Sequence, residues 1–480
     1  MAASFYFYDL ETSGFRPSQA RIMQFAGQRT DMDFKPIGEQ LNVLIKMVSD
    51  TVPDPEAVLV TGITPQQTIA DGISEAEFLK QFYHVAVKPD TIFVGFNNIR
   101  FDDEFMRFTN YRSFYDAYEW QWKDGNSRWD LLDVARMTRA LKPDGIKWPF
   151  AADGKPTNRL EYLSSINKLE HTAAHDAMSD VMATIYLAQL IKSKQPQLFN
   201  YLLEYRSKAK VRSLVESGKP FMYTSGSFSS QFLHTTAALF LGRRDQQDYA
   251  LVYDLRIDPT PFLKLTVNEI IDAWKFTRDP EAVRLPVKTL KYNRCPAVIP
   301  GVVKDKDTLA RLRLTRQQIL DNAVQVTKHS KSFVAKLFQA VERLDEERAL
   351  VQTVIIEDDL SVDDRLYDGF MTNKDKILMT KLRQTDPIEL NNYFSKFDDR
   401  RLNSLLLLYK ARNFPHSLNS EELAYWDEFR IKKLLNGGTD SRLAKYFDRI
   451  NELAETSLSG EKQYLLEELK LYGESIMPVD

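Results

Sequence analysis

The chain has 480 residues, 43% hydrophobic and 27% charged, with a formal net charge of -3 and one cysteine. Its length fits two or three globular domains, and the lack of a bilayer-length apolar run or a basic-then-apolar leader predicts a cytoplasmic protein away from membranes. Lone Cys295 excludes a disulfide framework and any multi-cysteine zinc site, so a metal would be held by oxygen or histidine; the near-neutral charge leaves nucleic-acid binding to a local basic surface.

Residues 1–192 alternate strand-like and helix-like segments, which predicts an α/β domain. SFYFYDLET, IMQFAGQRTD, LNVLIKMV and TIFVGF read as strands, while FDDEFMRFT, WDLLDVARMTRAL and residues 175–191 read as helices. Residues 200–352 carry the β-rich runs KPFMYTSG, TAALFLGR, YALVYDLRI and RLPVKTLKY, interrupted by helical TVNEIIDAWKF. A small barrel or sheet is expected there. From 357 to 480, RRLNSLLLLYKARNF, SEELAYWDEFRIKKLL and GEKQYLLEELKLYGESI place apolar residues at three-and-four spacing, which predicts an all-helical domain.

The first strand carries two carboxylates, Asp9 and Glu11, two residues apart and therefore on one face, about 7 Å apart along the chain. Alone, a D-x-E fits an edge strand with a solvated acidic face. In GFNNIRFDDEFMRF, Phe101, Phe105 and Phe108 mark the buried side of a helix; Asp103 then falls nearly opposite, and Asp102 on the flank, placed to look into a cleft. In HTAAHDAMSDV, His175 precedes Asp180 by five residues, about 140° on an ideal helix, so the two converge only if His175 lies at or before the first turn. His171 is one turn too early.

Four carboxylates crowded together cannot all ionise without cations between them. Two divalent metals about 4 Å apart resolve the repulsion and clamp a phosphodiester for in-line cleavage. Oxygen ligands point to two Mg2+, with Mn2+ as the alternative, and His175 is suited to act as general base.

These blocks resemble the DEDD exonuclease superfamily in its histidine subtype. QFAGQRTD, LVTGITPQ, GFNNIRFDDEF, NSRWDLLDVARM, AHDAMSDV, RCPAV and YKARNFP together resemble the bacterial exodeoxyribonuclease I family across nearly the whole chain. The resemblance implies a ribonuclease-H-like exonuclease domain (1–192), an SH3-like domain (200–352) and a helical C-terminal domain (357–480). It matches Asp9, Glu11, Asp102 and Asp180 to metal-binding acids and His175 to the base. The implied reaction is 3′ to 5′ degradation of single-stranded DNA to nucleoside 5′-monophosphates, by a monomer serving repair and recombination. The same chemistry on RNA, or a non-catalytic single-strand-binding scaffold, are the competing readings. Three positions depart from the family pattern: Leu10 for an aromatic beside the terminal nucleotide, Arg313 for a glycine, and Lys410 for an arginine.

Aromatics interleaved with cations suit sequence-tolerant single-strand binding. Such a run spans 111–129, where most rings are expected to pack the domain and two or three to meet DNA. Expected DNA contacts are Leu10, Asn98, Arg112, Tyr115, Arg128 and Trp129, with Lys208, Lys210 and Arg212 from a basic linker. The resemblance also implies a partner, the acidic C-terminal tail of single-strand DNA-binding protein, received by Lys142, Tyr201, Lys219 and Lys304.

Overall fold

In a computed structural model, the described residues are 3–170, 176–244, 247–275, 284–353 and 359–478, with side chains outside 349–361. The chain packs as two compact units, one of Met1–Ser127, Thr172–Met182 and Glu357–Asp480, the other of Arg128–His171 and Ala183–Ile356. None of the described helices is long and apolar enough to cross a membrane.

In the first unit, strands β1 (Ser4–Thr12), β2 (Ile22–Thr30), β3 (Leu41–Leu44) and β4 (Thr91–Gly95) lie in the order β3-β2-β1-β4. Strand β1 is antiparallel to β2 and parallel to β4. It is therefore an interior strand, not the solvated edge that D-x-E alone would suit. Tyr6, Tyr8 and Leu10 enter a core with Phe25, Phe78, Phe82, Phe93 and Trp120. Phe5 and Phe7, on the other side, are also buried, and Phe5 stacks on Phe34 at 5.3 Å. Each buried ring contributes about 1.5–3 kcal/mol, so the face holding Asp9 and Glu11 is anchored from below. Gly27 is required opposite Tyr8, because a Cβ there would sit 2.5 Å from the Tyr6 ring.

The helix Asp102–Arg112 is buried almost all round. Asp103 is fully buried, not solvent-facing as the Phe101/Phe105/Phe108 stripe suggested. The reason is tertiary: Tyr8 donates to Asp103 and Met106 enters the core behind β1, so the sheet side covers the face the periodicity left open, while Phe108 and Tyr111 pack on Leu402, Leu405, Leu406 and Tyr409 of the C-terminal helices.

That junction also holds a buried charge network. Arg412 meets both Asp363 oxygens at 3.0 and 2.7 Å and Asp50 at 2.7 Å, and Lys433 meets Asp50 at 2.6 Å. Arg112 pairs with Glu75 at 2.9 Å, and Arg21 lies 3.9 Å from Glu75 and 3.6 Å from Asp363. The family departure at Lys410 is accommodated in the same region by Glu422, at 2.8 and 2.9 Å.

The chain passes into the second unit at Arg128, within strand β5 (Ser127–Asp130). Strands β6 (Phe221–Thr224), β7 (Thr235–Gly242), β8 (Tyr249–Asp254), β9 (Val287–Lys291) and β10 (Ala297–Pro300) form an antiparallel sheet ordered β10-β6-β7-β8-β9. Four of these match the expected β-rich runs; β10, four residues ending in Pro, gave too short a pattern. Arg313, at the departure from glycine, has φ +52°, the left-handed region that glycine tolerates best.

Candidate active site

The β1 pleat puts Asp9 and Glu11 on one face, as their spacing predicts. Asp180 joins them from the first turn of the helix Ala177–Lys194. Ligand oxygens of these three carboxylates lie within 4.8 Å of one another. Asp102, at the start of its helix, is buried beside them, and its charge acts on both strand carboxylates.

Electrostatics separates this cluster from a solvated acidic face. Burial, followed by repulsion from Asp180, Asp102 and Asp176, pushes the Glu11 carboxyl up to about 9. Burial also raises Asp9 well above the carboxylate range, reinforced by Asp102, Asp180, Glu11 and Asp176. Such a set is unfavourable when ionised near neutrality unless positive charge lies among its oxygens. Hard oxygen donors at this spacing fit divalent cations of the magnesium and manganese kind.

The second acid of the F-D-D pair has a different job. The Tyr8 hydroxyl, on the opposite face of β1, donates to the Asp103 carboxylate, and Asn98 Nδ2 reaches Tyr8 at 3.5 Å. The Asp103 N–H donates to Asn98 O at 2.9 Å. Tyr8 thereby fastens the helix start to the strand that carries Asp9. Tyr8→Phe removes this donor from a buried carboxylate and is expected to cost about 1–3 kcal/mol; equilibrium denaturation measures it, and an unchanged midpoint would contradict the role.

The helix bearing Asp180 begins at Ala177, two residues after His175 in sequence, as convergence requires. His175 lies outside the described residues.

The expected DNA contacts fare unevenly. Leu10 is buried in the core behind the carboxylate face. Arg112 is 2% exposed and bonded to Glu75 and to Pro17 O, so a structural ion pair replaces the expected phosphate contact. Asn98 is buried, and its Oδ1 has no hydrogen-bond partner. Tyr115 stacks on Tyr83 at 4.5 Å with the Arg383 guanidinium 3.8 Å from its centroid, so the ring is engaged by protein.

In the second unit, Trp129 is buried edge-to-face on Phe199, and Arg128 donates to Asn293 O at 2.7 Å. Lys208 and Arg212 pair with Asp248, and Lys210 with Glu204. Asp248, distant in sequence, is a counter-charge the linker did not reveal. These pairs are exposed or half-exposed and weak enough for a phosphate to displace. Lys142, Lys219 and Lys304 are exposed, while Tyr201 stacks on Tyr205 at 4.2 Å with its hydroxyl buried and unpartnered.

The aromatic run 111–129 supplies Tyr118, and sequence reading missed the exposed aromatics Phe370 and Tyr367 that lie on the same side. Phe370 is 87% exposed and lies 6.0 Å from Tyr118, over which Arg107 sits at 5.5 Å; Tyr367 and Trp122 are also exposed. Phe370 and Tyr367 come from LYDGF, whose isolated aromatics carry no periodic signal.

Three family models match in order: Exonuclease over residues 6–188, Exonuclease I SH3-like domain over 206–343, and Exonuclease I C-terminal domain over 360–476. Exodeoxyribonuclease I of Haemophilus influenzae is 38% identical over 480 residues, 98% of each chain. That of Escherichia coli is 37% identical over 484 residues, covering 99% of this chain and 98% of the relative. Among solved structures, E. coli exonuclease I with a dT13 oligonucleotide aligns with TM-score 0.90 at 35% identity, covering 99% of this chain and all of that one. A complex titled SSB/exonuclease I with an inhibitor (TM-score 0.87) and a zinc-bound E. coli exonuclease I–ssDNA complex (TM-score 0.89) align at 36% identity, with the same coverage. With all three domains matched in order and whole-length relatives well above 30% identity, the chain belongs to the exodeoxyribonuclease I family.

Proposed function

We propose that the chain is a divalent-cation-dependent exonuclease that shortens single-stranded DNA from its 3′ end and releases nucleoside 5′-monophosphates. The observation that carries this reading is the convergence of half-buried Asp9 and Asp180 on buried Glu11, with buried Asp102 beside them. The oligonucleotide complexes of relatives support the substrate class. Asp9, Glu11, Asp102 and Asp180 would hold two Mg2+ ions, which, when bound, supply positive charge to the attacking and leaving oxygens. The carboxylates fix that charge on rigid elements, and His175, by family resemblance, takes the proton of the attacking water. The interior strand and the two helix starts carry Asp9, Glu11, Asp102 and Asp180.

Exposed Phe370 and Tyr367, beside half-buried Tyr118 and Arg107, suit stacked bases beside a cation. Phe370→Ala is expected to weaken single-stranded DNA binding by about 1–3 kcal/mol while leaving the folding midpoint unchanged. Fluorescence anisotropy with a labelled oligonucleotide would read the loss, and unaltered affinity would remove Phe370 from the binding surface.

Lys142, Lys219 and Lys304 with Tyr201 are the proposed receptor for the C-terminal tail of single-strand DNA-binding protein, whose terminal carboxylate suits ammonium groups. A relative's complex with SSB supports that partner. The limits 1–192, 200–352 and 357–480, a monomeric state, a cytoplasmic location and a role in DNA repair belong to the same proposal.

The deciding experiment is a time course on 5′-labelled single-stranded DNA beside duplex DNA and RNA of the same sequence, with Mg2+ and with EDTA. A ladder shortening from the 3′ end on single-stranded DNA alone, stopped by EDTA, is expected. DNA that is bound but never cut would replace the enzyme with a binding module, and equal cutting of RNA would overturn the substrate assignment.

A further inference from the structure

Asp180 meets Asp9 and Glu11 only if its helix starts in the right place, and one side chain ties that start to the sheet. Gln24 stands opposite Glu11 in the β1–β2 register, so both side chains project from the carboxylate face. Its amide nitrogen donates to Asp176 Oδ1 at 2.9 Å and to Asn42 Oδ1 at 3.1 Å, and its amide oxygen accepts the Ala177 N–H at 3.2 Å. The other Asp176 oxygen accepts from Ser179 N–H at 3.0 Å, and the Asp176 carbonyl accepts from Asp180 N–H at 3.0 Å.

First-turn N–H groups have no partner within their own helix. Gln24 satisfies one of them directly and orients the carboxylate that satisfies a second. Because Gln24 is buried on an interior pair of strands, it has little freedom to follow a helix that drifts. Its donated hydrogen bond also disperses the charge of Asp176, which adds to the repulsion at Asp9 and Glu11.

We propose that Gln24 is a positioning residue for the cation site, acting through Asp176 and Ala177 to set where Asp180 meets Asp9 and Glu11. The inference rests on reading those carboxylates as a cation site. Mg2+ demands near-ideal geometry at about 2.0–2.1 Å, so a small shift of the helix start is enough to spoil one ligand while the fold survives.

The test is Mn2+ binding to the full chain without DNA, by isothermal titration calorimetry, for wild type, Gln24→Met and Gln24→Asn. Methionine keeps the volume without hydrogen bonds; asparagine keeps the amide one methylene short. Mn2+ binding weakened by about tenfold, the low end of the range for losing a group that supports a metal site from outside its ligands, is expected in both. Thermal midpoints should fall by several degrees at most, leaving both variants folded at the assay temperature, and kcat should fall without a matching rise in the dissociation constant for single-stranded DNA. Should the methionine variant fail to fold, the asparagine variant decides alone. Affinity within twofold of wild type in the folded variants would overturn the inference while leaving the cation site intact. A wild-type chain that binds no Mn2+ would overturn the cation reading itself, and one that binds Mn2+ yet cuts nothing would overturn only the proposed activity.

Discussion

Asp9→Asn is expected to lower turnover by at least roughly 10³-fold, because the several kcal/mol that cations supply to the reacting oxygens depend on carboxylates placed to hold them. It should nonetheless stabilise the cation-free protein. Asp9 and Glu11 both have folded-state pKa values raised by burial first and neighbouring acids second, Glu11 to about 9. A carboxyl whose folded pKa lies above its unfolded value binds protons more tightly when folded. Stability contributed by that proton is present below about pH 4.5 and lost as pH rises towards 9. At neutral pH the empty cluster therefore opposes folding, and removing one charge relieves it. Thermal unfolding in EDTA should show Asp9→Asn melting a few degrees above wild type. Added Mg2+ should raise the wild-type midpoint and move the variant much less. A wild-type midpoint indifferent to divalent cations would contradict the arrangement, and an Asp9→Asn enzyme that still turns over would contradict the site.

The parts of this site legible in the sequence are those fixed by local geometry. Two-residue spacing on β1 put Asp9 and Glu11 on one face whatever surrounds the strand, and the helix that begins at Ala177 delivers Asp180 to them. What failed to read out depends on contacts distant in sequence. β1 is interior because β4, some 80 residues on, pairs with it. Asp103 faces inward because Tyr8 meets it and its neighbour on that face, Met106, enters the sheet core, so a 3.6-residue stripe understated the burial. Arg112 lies among aromatics in sequence, which suggested DNA, yet Glu75 and Pro17 claim it. Phe370 had no signal, being an aromatic outside any motif, and Gln24, the first residue of the QFAGQRTD block, read only as part of a strand because its partner Asp176 lies some 150 residues on.

The buried charge network carries the other large effect. Asp50→Ala is expected to destabilise the protein by about 3–5 kcal/mol, the usual cost of removing one partner from a buried ion pair. Asp50 is wholly buried, and its burial penalty is outweighed by Arg412, Lys433 and Arg21, which hold it well below the ordinary range. Without it, the Arg412 guanidinium stays charged at any accessible pH. Lys433, whose burial holds its ammonium down to about 8, can shed its proton more readily. Arg412 therefore carries most of the cost, sharing Asp363 with Arg21. Asp363 and Glu75 are also held below their usual values by these cations once desolvation is overcome. Depressed carboxylates stabilise the fold above about pH 4 and lose that contribution as pH falls through their folded values, so wild type should unfold steeply in acid. Asp50→Ala should begin from a lower plateau and show a shallower acid slope, having one such carboxylate fewer. The network joins Asp50, Glu75 and Arg112 to Asp363, Arg412 and Lys433, which lie after residue 357. Lifting the C-terminal helices away would expose all of these charges and the apolar core around Tyr409. Urea unfolding followed at once by far-ultraviolet circular dichroism and by intrinsic fluorescence should therefore show one transition for the first unit, displaced as a whole in Asp50→Ala. A separate early transition confined to residues 357–480 would instead mean that these helices dock weakly and that the buried charges do not bind them.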